Sequence, residues 1–249
     1  MAVRPALMKI TTPLGGDLLF HRMTAREELG RLSEFQIDLL SKRKDIKPNE
    51  ILAQAVSVEL ELTTQGFRHF NGHVTRFAYT GLRGDHHTYT AIVRPWLWFL
   101  TRTADCRIFQ KMAVPDIVKK VFDDHTVADV KDELTGEYRV REYCVQYRET
   151  DFDFVSRLLE EEGIYYYVRH SEGRHTIVLT DAYSTHLAVP GDELPFVPPG
   201  RLRGDQQAVT EWSVGNEVQP GAYVLDDYNF EEPRVERLGR RESPKTHEL

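Results

Sequence analysis

The chain has 249 residues, enough for one large domain or two ordinary domains with separate cores. Its 32 basic and 39 acidic side chains give a formal net charge of −7, which argues against nucleic-acid binding as its main purpose. No apolar segment approaches the roughly 20 residues of a membrane-spanning helix, and the first ten residues, with Arg4, Pro5 and Lys9, lack the apolar core of a signal peptide. We therefore expect a protein that is cytosolic when made and needs no cleaved signal if it leaves the cell.

Residues 1–100 are predicted to form an antiparallel β-domain. Strict alternation of apolar and polar side chains in residues 35–39 and 56–62 is typical of half-buried strands. Residues 67–79 are predicted to form a further strand, in which Gly72 indicates a bulge. Shorter or less regular strands are predicted at residues 7–12, 17–24 and 87–99, the last ending near Pro95. Five or six strands with short connections favour a barrel or a sandwich.

Residues 101–190 are predicted to form an α+β domain. A helix near residues 115–124 begins with Pro115 in its first turn, where the missing N–H has no partner to lose. The polar segment 126–137 is predicted to be irregular, and residues 140–146 a short strand.

A second helix, over residues 151–162, has the clearest local signals in the chain. Thr150 is a good N-cap residue, and Gly163 provides the left-handed conformation that ends a helix. Its apolar face is predicted to comprise Phe152, Val155, Leu158 and Leu159, widened by Phe154. Glu160, Glu161 and Glu162 fill the last turn, where the helix dipole disfavours negative charge, so we expect this end to lie in water.

A β-hairpin is predicted after this helix. Its first strand covers residues 164–168, with both faces apolar and expected to be covered, and its second covers residues 175–180 around a turn at 171–174.

The composition changes after residue 181. Prolines and glycines crowd residues 190–200, and we interpret residues 191–232 as a connector followed by two strands, at 208–214 and 221–228. Residues 233–249 are predicted to be a flexible charged tail.

The run YRETDFDFVSRLLEEEGIYYYV, residues 147–168, resembles the signature of the VgrG proteins, which form the spike of the bacterial type VI secretion machine. The same region is similar to the baseplate hub protein of contractile-tailed phages. Residues 35–39, 70–77 and 94–98 also fit this family, and the resemblance covers roughly residues 14–233.

The resemblance implies a mainly β fold with α+β elements: a tube-protein-like antiparallel β-barrel, an α+β domain, and the start of a second barrel-like domain. It implies a homotrimer whose barrels mimic a six-membered ring and dock on the Hcp tube, with baseplate components and effectors as further partners. The complete spike would pierce the target membrane mechanically. The implied role is structural rather than enzymatic, with assembly in the cytoplasm and secretion by the type VI machine.

Family members continue with the rest of a second barrel, an oligonucleotide-fold domain and a β-needle, which this sequence does not contain. A second barrel begun at Ala208 is therefore expected to lack strands and to expose an edge. Two alternatives stay open: the hub of a contractile phage or phage-derived injection particle, and, from another class, a sugar-binding or hydrolytic β-domain.

Residues that could perform chemistry have simpler interpretations. The carboxylates Asp151 and Asp153, with those of residues 160–162, lie at helix ends, where capping and solvation explain them. His69 and His73 share a strand face but lack a further metal ligand nearby, so we interpret them, like His86 and His87, as solvent-facing.

Other candidates are equally weak. Ser156 and Ser184 lack a nucleophile elbow, and no glycine-rich loop has phosphate-binding spacing. The aromatic residues 96, 98 and 99 fit a core at a domain join better than a sugar platform, whereas the tyrosines at 165–167 fit an interface or a core. Cys106 and Cys144 are predicted to be reduced structural residues. We therefore predict no catalytic, cofactor-binding or metal site, and assign no partner-binding residues.

Overall fold

The computed structural model describes residues 8–62, 66–186, 194–201, 208–215, 217–218 and 220–243. Parts of the predicted first strand, connector and tail (residues 7, 191–193 and 244–249) lie outside the described residues. The chain divides into two compact units: the first runs to residue 192, and the second contains most residues from 193 onward.

A six-stranded antiparallel sheet that curls into a half barrel forms the first part of the first unit. Its strand order is β1-β4-β5-β6-β3-β2. The strands are β1 (Met8–Thr11), β2 (Leu19–Arg26), β3 (Glu34–Ser41), β4 (Ala55–Glu61), β5 (Phe67–Arg83) and β6 (His86–Arg94). The predicted alternation is confirmed in β3, where Phe35, Ile37 and Leu39 are buried and contribute to the core inside the curl.

Strand β5 holds the sheet together because it pairs with two neighbours along different parts of its length. Residues 67–73 pair with β4, and residues 73–83 pair with β6. The two pairings overlap at His73, whose partners are Ala55 and Arg94. Such a stagger between neighbouring strands accompanies the tilt and curling of a sheet.

The predicted bulge at Gly72 is wrong. Gly72 pairs regularly with Val56, and the irregularities of β5 lie between Val74 and Arg76 and between Tyr79 and Gly81. A Cβ atom at position 72 would lie 2.6 Å from the carbonyl oxygen of Arg94. The glycine is therefore required by close packing against β6.

An α+β part completes the first unit. The expected strand over residues 87–99 ends at Arg94, and the 3₁₀-helix Trp96–Arg102 follows it. The remaining elements are β7 (Ala104–Phe109), α1 (Val114–Phe122), β8 (Val130–Glu133), β9 (Cys144–Thr150), α2 (Asp151–Glu162), β10 (Tyr165–Ser171) and β11 (Arg174–Thr180). The prediction that segment 126–137 is irregular is wrong for β8, which pairs in parallel with β11.

Helix α2 is capped as predicted. The Thr150 hydroxyl accepts a hydrogen bond from the backbone N–H of Asp153 at 3.0 Å, and Gly163 has φ of 73°. The apolar face is turned slightly from the prediction, because Phe154 is buried and Phe152 only half-buried. Glu160 and Glu161 are exposed as expected, whereas Glu162 is half-buried and pairs with Arg141.

The α+β part has its own apolar core, separate from the core of the sheet. Side chains of α1, α2, the 3₁₀-helix and the β10–β11 hairpin form it, including Trp96, Val118, Leu158 and Ile177. Tyr166 of β10 is buried, but its neighbours Tyr165 and Tyr167 are only half-buried, so the first hairpin strand has one well-covered face instead of two.

The second unit contains the antiparallel strands β12 (Ala222–Leu225) and β13 (Gly239–Glu242). Strand β13 lies in the predicted flexible tail, where the sequence indicates no regular element. Of the predicted strand 208–214, the structure shows an isolated bridge between Val209 and Phe196. Within the described ranges of both units, no helix is long and apolar enough to cross a membrane.

Candidate functional site

The most specific polar site in the first unit lies where strand β5 meets the β10–β11 hairpin. The side-chain amide of Asn71 donates hydrogen bonds to the backbone carbonyls of Ser171 and Arg174, each at 2.8 Å. Asn71 is only 2% exposed. Because a buried amide of this kind is costly to leave unpaired, these two bonds fix the hairpin turn against the sheet.

Three histidines surround this contact, and we call His73, His170 and His175 the histidine join. The His175 Nε2 atom accepts the backbone N–H of Trp96 at 2.9 Å, and the His170 Nδ1 atom accepts the backbone N–H of Asn71 at 3.1 Å. Ring centroids lie 5.5 Å apart for His73 and His175 and 6.4 Å apart for His170 and His175.

The interior position of the join sets its electrostatics. Burial is the main cause that lowers the pKa of His175 to about 3, and the neighbouring rings of His73 and His170 contribute to this lowering. Burial also lowers the pKa of His73. The interpretation of His73 as solvent-facing is therefore wrong: its ring packs on Phe99, with centroids 5.3 Å apart.

A metal does not fit the join or its surroundings. Zinc sites need three or four convergent ligands. Across the described ranges, no group of three or more His, Cys, Asp and Glu side chains is arranged to hold a metal ion. His69, the other histidine considered from the sequence, is half-buried with its Nδ1 atom 3.8 Å from a carboxylate oxygen of Glu59.

The aromatic residues after β6 belong mainly to the core. Trp96 is fully buried, and its indole N–H donates to the backbone carbonyl of Asp129 at 3.2 Å. The guanidinium groups of Arg94 and Arg102 lie 5.6 and 4.8 Å from the Trp98 ring centroid. Since one indole is enclosed and the other is covered by cations, the arrangement does not form an open platform for a sugar.

The three consecutive tyrosines have separate local roles. Burial raises the pKa of Tyr166, whose backbone carbonyl accepts the N–H of Gly30 at 2.8 Å. The Tyr165 hydroxyl is 2.8 Å from His186 Nε2, and the Tyr167 hydroxyl donates to Glu133 at 3.4 Å. Of the two interpretations left open by the sequence, packing within the chain explains these contacts.

Asp151 differs from its interpretation as an ordinary residue of the first helical turn. Its carboxylate is buried and accepts hydrogen bonds from the Thr103 hydroxyl, the Gln146 amide and the Arg107 guanidinium at 2.7, 2.7 and 2.5 Å. Burial alone raises the pKa of Asp151, but these hydrogen bonds and the Arg107 charge outweigh that effect and hold the pKa below its usual range. Such a carboxylate stays ionised and hydrogen-bonded to all three donors. This suits a structural anchor, a group that holds neighbouring segments together, better than a group that transfers protons.

The remaining candidates are not assembled into a catalytic site. In the described part of the chain, neither Ser156 nor Ser184 is hydrogen-bonded to a histidine. The Nδ1 atom of His86 lies 2.7 Å from a carboxylate oxygen of Asp85. Cys106 and Cys144 are both free, and burial raises the pKa of the Cys144 thiol, as fits a structural residue.

Comparison with known protein families identifies the family of this chain. A sequence model described as the phage tail baseplate hub (GPD) matches residues 26–248. The chain belongs to the phage tail baseplate hub family.

The curated relatives of this hub protein include spike proteins of Pseudomonas aeruginosa. It is 42% identical to the type VI secretion system spike protein VgrG1b over 99% of its own length and 34% of the relative. It is 45% identical to VgrG1a over 91% of its length and 36% of the relative. The chain thus spans about a third of each of these proteins. Their description as spike proteins agrees with a structural, non-enzymatic role.

Solved structures show the same hub architecture. A type VI secretion system component of E. coli, c3393, which is described as similar to the phage T4 tail proteins gp27 and gp5, aligns with a TM-score of 0.63 and 25% identity. The alignment covers 90% of this chain and 56% of c3393. A PdpA–VgrG complex matches at a TM-score of 0.58 and 9% identity over 91% of this chain and 42% of its counterpart, which supports the fold alone.

Two of the segments that resemble the hub and spike family contribute to the histidine join and its partners. Residues 70–77 contain Asn71 and His73, and residues 94–98 contain Trp96. His170 and His175 lie just beyond the run 147–168, and no local sequence pattern indicates them because their partners are distant in the chain.

Proposed function

We propose that this chain is the hub portion of a type VI secretion spike, which acts as a homotrimer and docks on the Hcp tube. The observation that supports this most directly is the 42–45% identity to VgrG spike proteins across at least 91% of the chain. In this proposal the hub is a mechanical connector: it is assembled in the cytoplasm with baseplate components, and it leaves the cell with the spike and its effectors.

The half-barrel sheet and the second unit supply the surfaces that a trimer needs. As the family resemblance implies, three chains that each contribute two barrel-like parts would present six similar faces, which would match a six-fold ring by repeated contacts. The described part of the second unit contributes one two-stranded sheet toward the second of these parts. Strands β12 and β13 place Tyr223, Val224 and Leu225 in solvent, each more than half exposed. A two-stranded ribbon with uncovered apolar side chains is marginally stable in water, so we assign this ribbon to the interface between subunits.

The solution mass tests the trimer. Light scattering on a sizing column, over a range of protein concentrations, is expected to show a species of three times 28.9 kDa. The variant Leu225→Asp is expected to shift the mass toward the monomer, because it places a charge in the proposed interface. Val127→Asp, at an exposed apolar position of the first unit, is the matched control and is expected to leave the mass unchanged. A monomer at all concentrations would contradict trimerisation by this chain.

The alternative partner is a phage tail tube, which the description of the matching family favours. Purified Hcp and a tail-tube subunit from a contractile phage can be compared as immobilised ligands for the same hub preparation. Selective binding to Hcp is the expected result, whereas selective binding to the phage subunit would favour a phage or phage-derived particle.

A further inference from the structure

The first unit has two apolar cores, and polar contacts join them. The core of the sheet and the core of the α+β part are distinct clusters. Between them lie the Asn71 bonds to the hairpin, the Gly30–Tyr166 backbone bond and the histidine join. The attachment of one part to the other therefore combines ring contacts, such as that of His170 with Phe35, with hydrogen bonds, one of which ends on a histidine nitrogen.

Two rings of the join must be neutral at the nitrogen that faces the backbone. A backbone N–H is always a donor, so Nε2 of His175 and Nδ1 of His170 act as acceptors toward Trp96 and Asn71. Protonation of either nitrogen would set two N–H groups against each other and remove the hydrogen bond. The buried N–H of the backbone would then have no acceptor, which costs more than the loss of an exposed bond.

Few charges are available to compensate a proton on His175. The rings that face it are His73 of β5 and His170 of β10, and a second proton there would add like charge. The carboxylate on its side is that of Asp129, which already accepts Arg174 and the Thr176 hydroxyl. Across the join, Glu27 faces His170 at 3.3 Å and is paired with Arg68 at 2.9 Å.

We propose that the histidine join is an acid-sensitive clasp: protonation of His175 removes its hydrogen bond to Trp96 and loosens the β10–β11 hairpin from the 3₁₀-helix that follows the half-barrel sheet. At neutral pH the clasp is closed and both backbone donors are satisfied. As the pH falls, open conformations in which His175 reaches water are stabilised by binding a proton. The closed conformation, in which the ring is neutral, gains no such stabilisation.

The sign of the pH effect follows from proton uptake. His175 stays neutral in the folded chain down to about pH 3, whereas an unfolded histidine takes a proton below about pH 6.5. Between these values opening or unfolding binds a proton, so the equilibrium constant for unfolding rises by up to tenfold per pH unit. From pH 7 to pH 5, the contribution of His175 is a roughly 25-fold increase in that constant.

Denaturant unfolding of the full chain at pH 5–7 tests this contribution. His175→Gln retains an oxygen acceptor for Trp96 but has no titratable ring, and it is expected to remove the roughly 25-fold part of the pH dependence. His21→Gln, at an exposed histidine of β2, is the matched control and is expected to retain the full dependence. An unchanged pH dependence in His175→Gln would overturn the proposal.

A local measurement on the unaltered chain separates the clasp from general acid destabilisation. Hydrogen exchange, corrected for the intrinsic pH dependence of the amides, should show falling protection of the Trp96 and Asn71 amides between pH 7 and pH 5. The amide of Ile37, in the interior of β3, should keep its protection. Protection of Trp96 and Asn71 that does not change with pH, or that changes in parallel with Ile37, would contradict local opening even if His175→Gln failed to fold.

Discussion

Two antiparallel ribbons of two strands each, β7–β9 and β12–β13, have different surroundings. In the first, Phe109 and Cys144 face inward and are buried, and Phe109 stacks on Phe154 of α2 with ring centroids 5.6 Å apart. In the second, every residue of both strands is exposed. Yet the Ala-Tyr-Val-Leu sequence of β12 has the stronger intrinsic preference for a strand.

The difference shows that packing, rather than strand propensity, decides how firmly each ribbon is held. The first ribbon contributes to a core shared with two helices, so its strands are supported from one side. The second presents its apolar side chains to solvent on both faces, and in the proposed trimer a neighbouring subunit would cover them. Four substitutions compare the tightly packed first unit with the open second unit.

Gly72→Ala is expected to have the largest effect, on the order of 3 kcal/mol lost from the free energy of unfolding. The added methyl group would meet the backbone oxygen of Arg94 at 2.6 Å, so β5 and β6 must separate. Gly221→Ala in the second unit, with no atom within 4 Å of the new Cβ, is the control and should change little. Denaturant unfolding measures the free energy of unfolding of both variants. Equal losses would contradict the claim that Gly72 is more tightly packed than Gly221.

Arg107→Met is expected to cost about 2–3 kcal/mol, because it leaves the buried Asp151 carboxylate without its cationic partner. Arg240→Met removes the partner of Glu242 in the second unit, where both side chains are well exposed, and should cost at most about 0.5 kcal/mol. Thermal unfolding of the two variants is the measurement. A loss for Arg107→Met no greater than that for Arg240→Met would show that Asp151 is not a structural anchor.

Gly163→Val should destabilise the chain by roughly 1–2 kcal/mol. The cause is conformational strain, since φ of 73° disfavours a β-branched residue while no atom lies within 4 Å of the added Cβ. Gly163→Asn should cost less, because asparagine tolerates the left-handed region. An unchanged melting temperature for the valine variant would count against the assigned helix stop.

Leu225→Ser is expected to have the smallest effect on the isolated chain, within about 0.5 kcal/mol, because the side chain is 77% exposed. The variant should be compared with the unaltered chain by thermal unfolding at low protein concentration, where association is least. A loss above about 1 kcal/mol under these conditions would mean that the second unit buries Leu225 in solution.

Local signals in the sequence predicted part of this structure. The alternation in residues 35–39, the Thr150 cap and the Gly163 stop each depend on neighbours within a few residues, and all three are confirmed. The mainly β fold and the family are confirmed as well. The division into domains at residues 100, 190 and 232 stays a prediction.

Contacts between distant segments explain the errors. Strand β8, with the sequence Val-Lys-Asp-Glu, has no alternation to indicate it and exists through its parallel pairing with β11. A glycine in a strand fits a bulge or a close approach equally well, and the neighbour that distinguishes them at Gly72 is Arg94. The histidine join combines residues about a hundred positions apart, so no short sequence pattern reveals it.

The stagger of β5 has a mechanical consequence. At 17 residues, the strand is roughly 55 Å long, and its two hydrogen-bonded ladders follow one another almost end to end. The backbone hydrogen bonds to β4 and β6 run across the strand. A tensile load along β5 therefore acts on all these hydrogen bonds in shear at once, instead of breaking them one after another. We expect the half barrel to yield far more readily to a pull across β5 than to one along it, so in the proposed spike the direction of the load relative to β5 would matter.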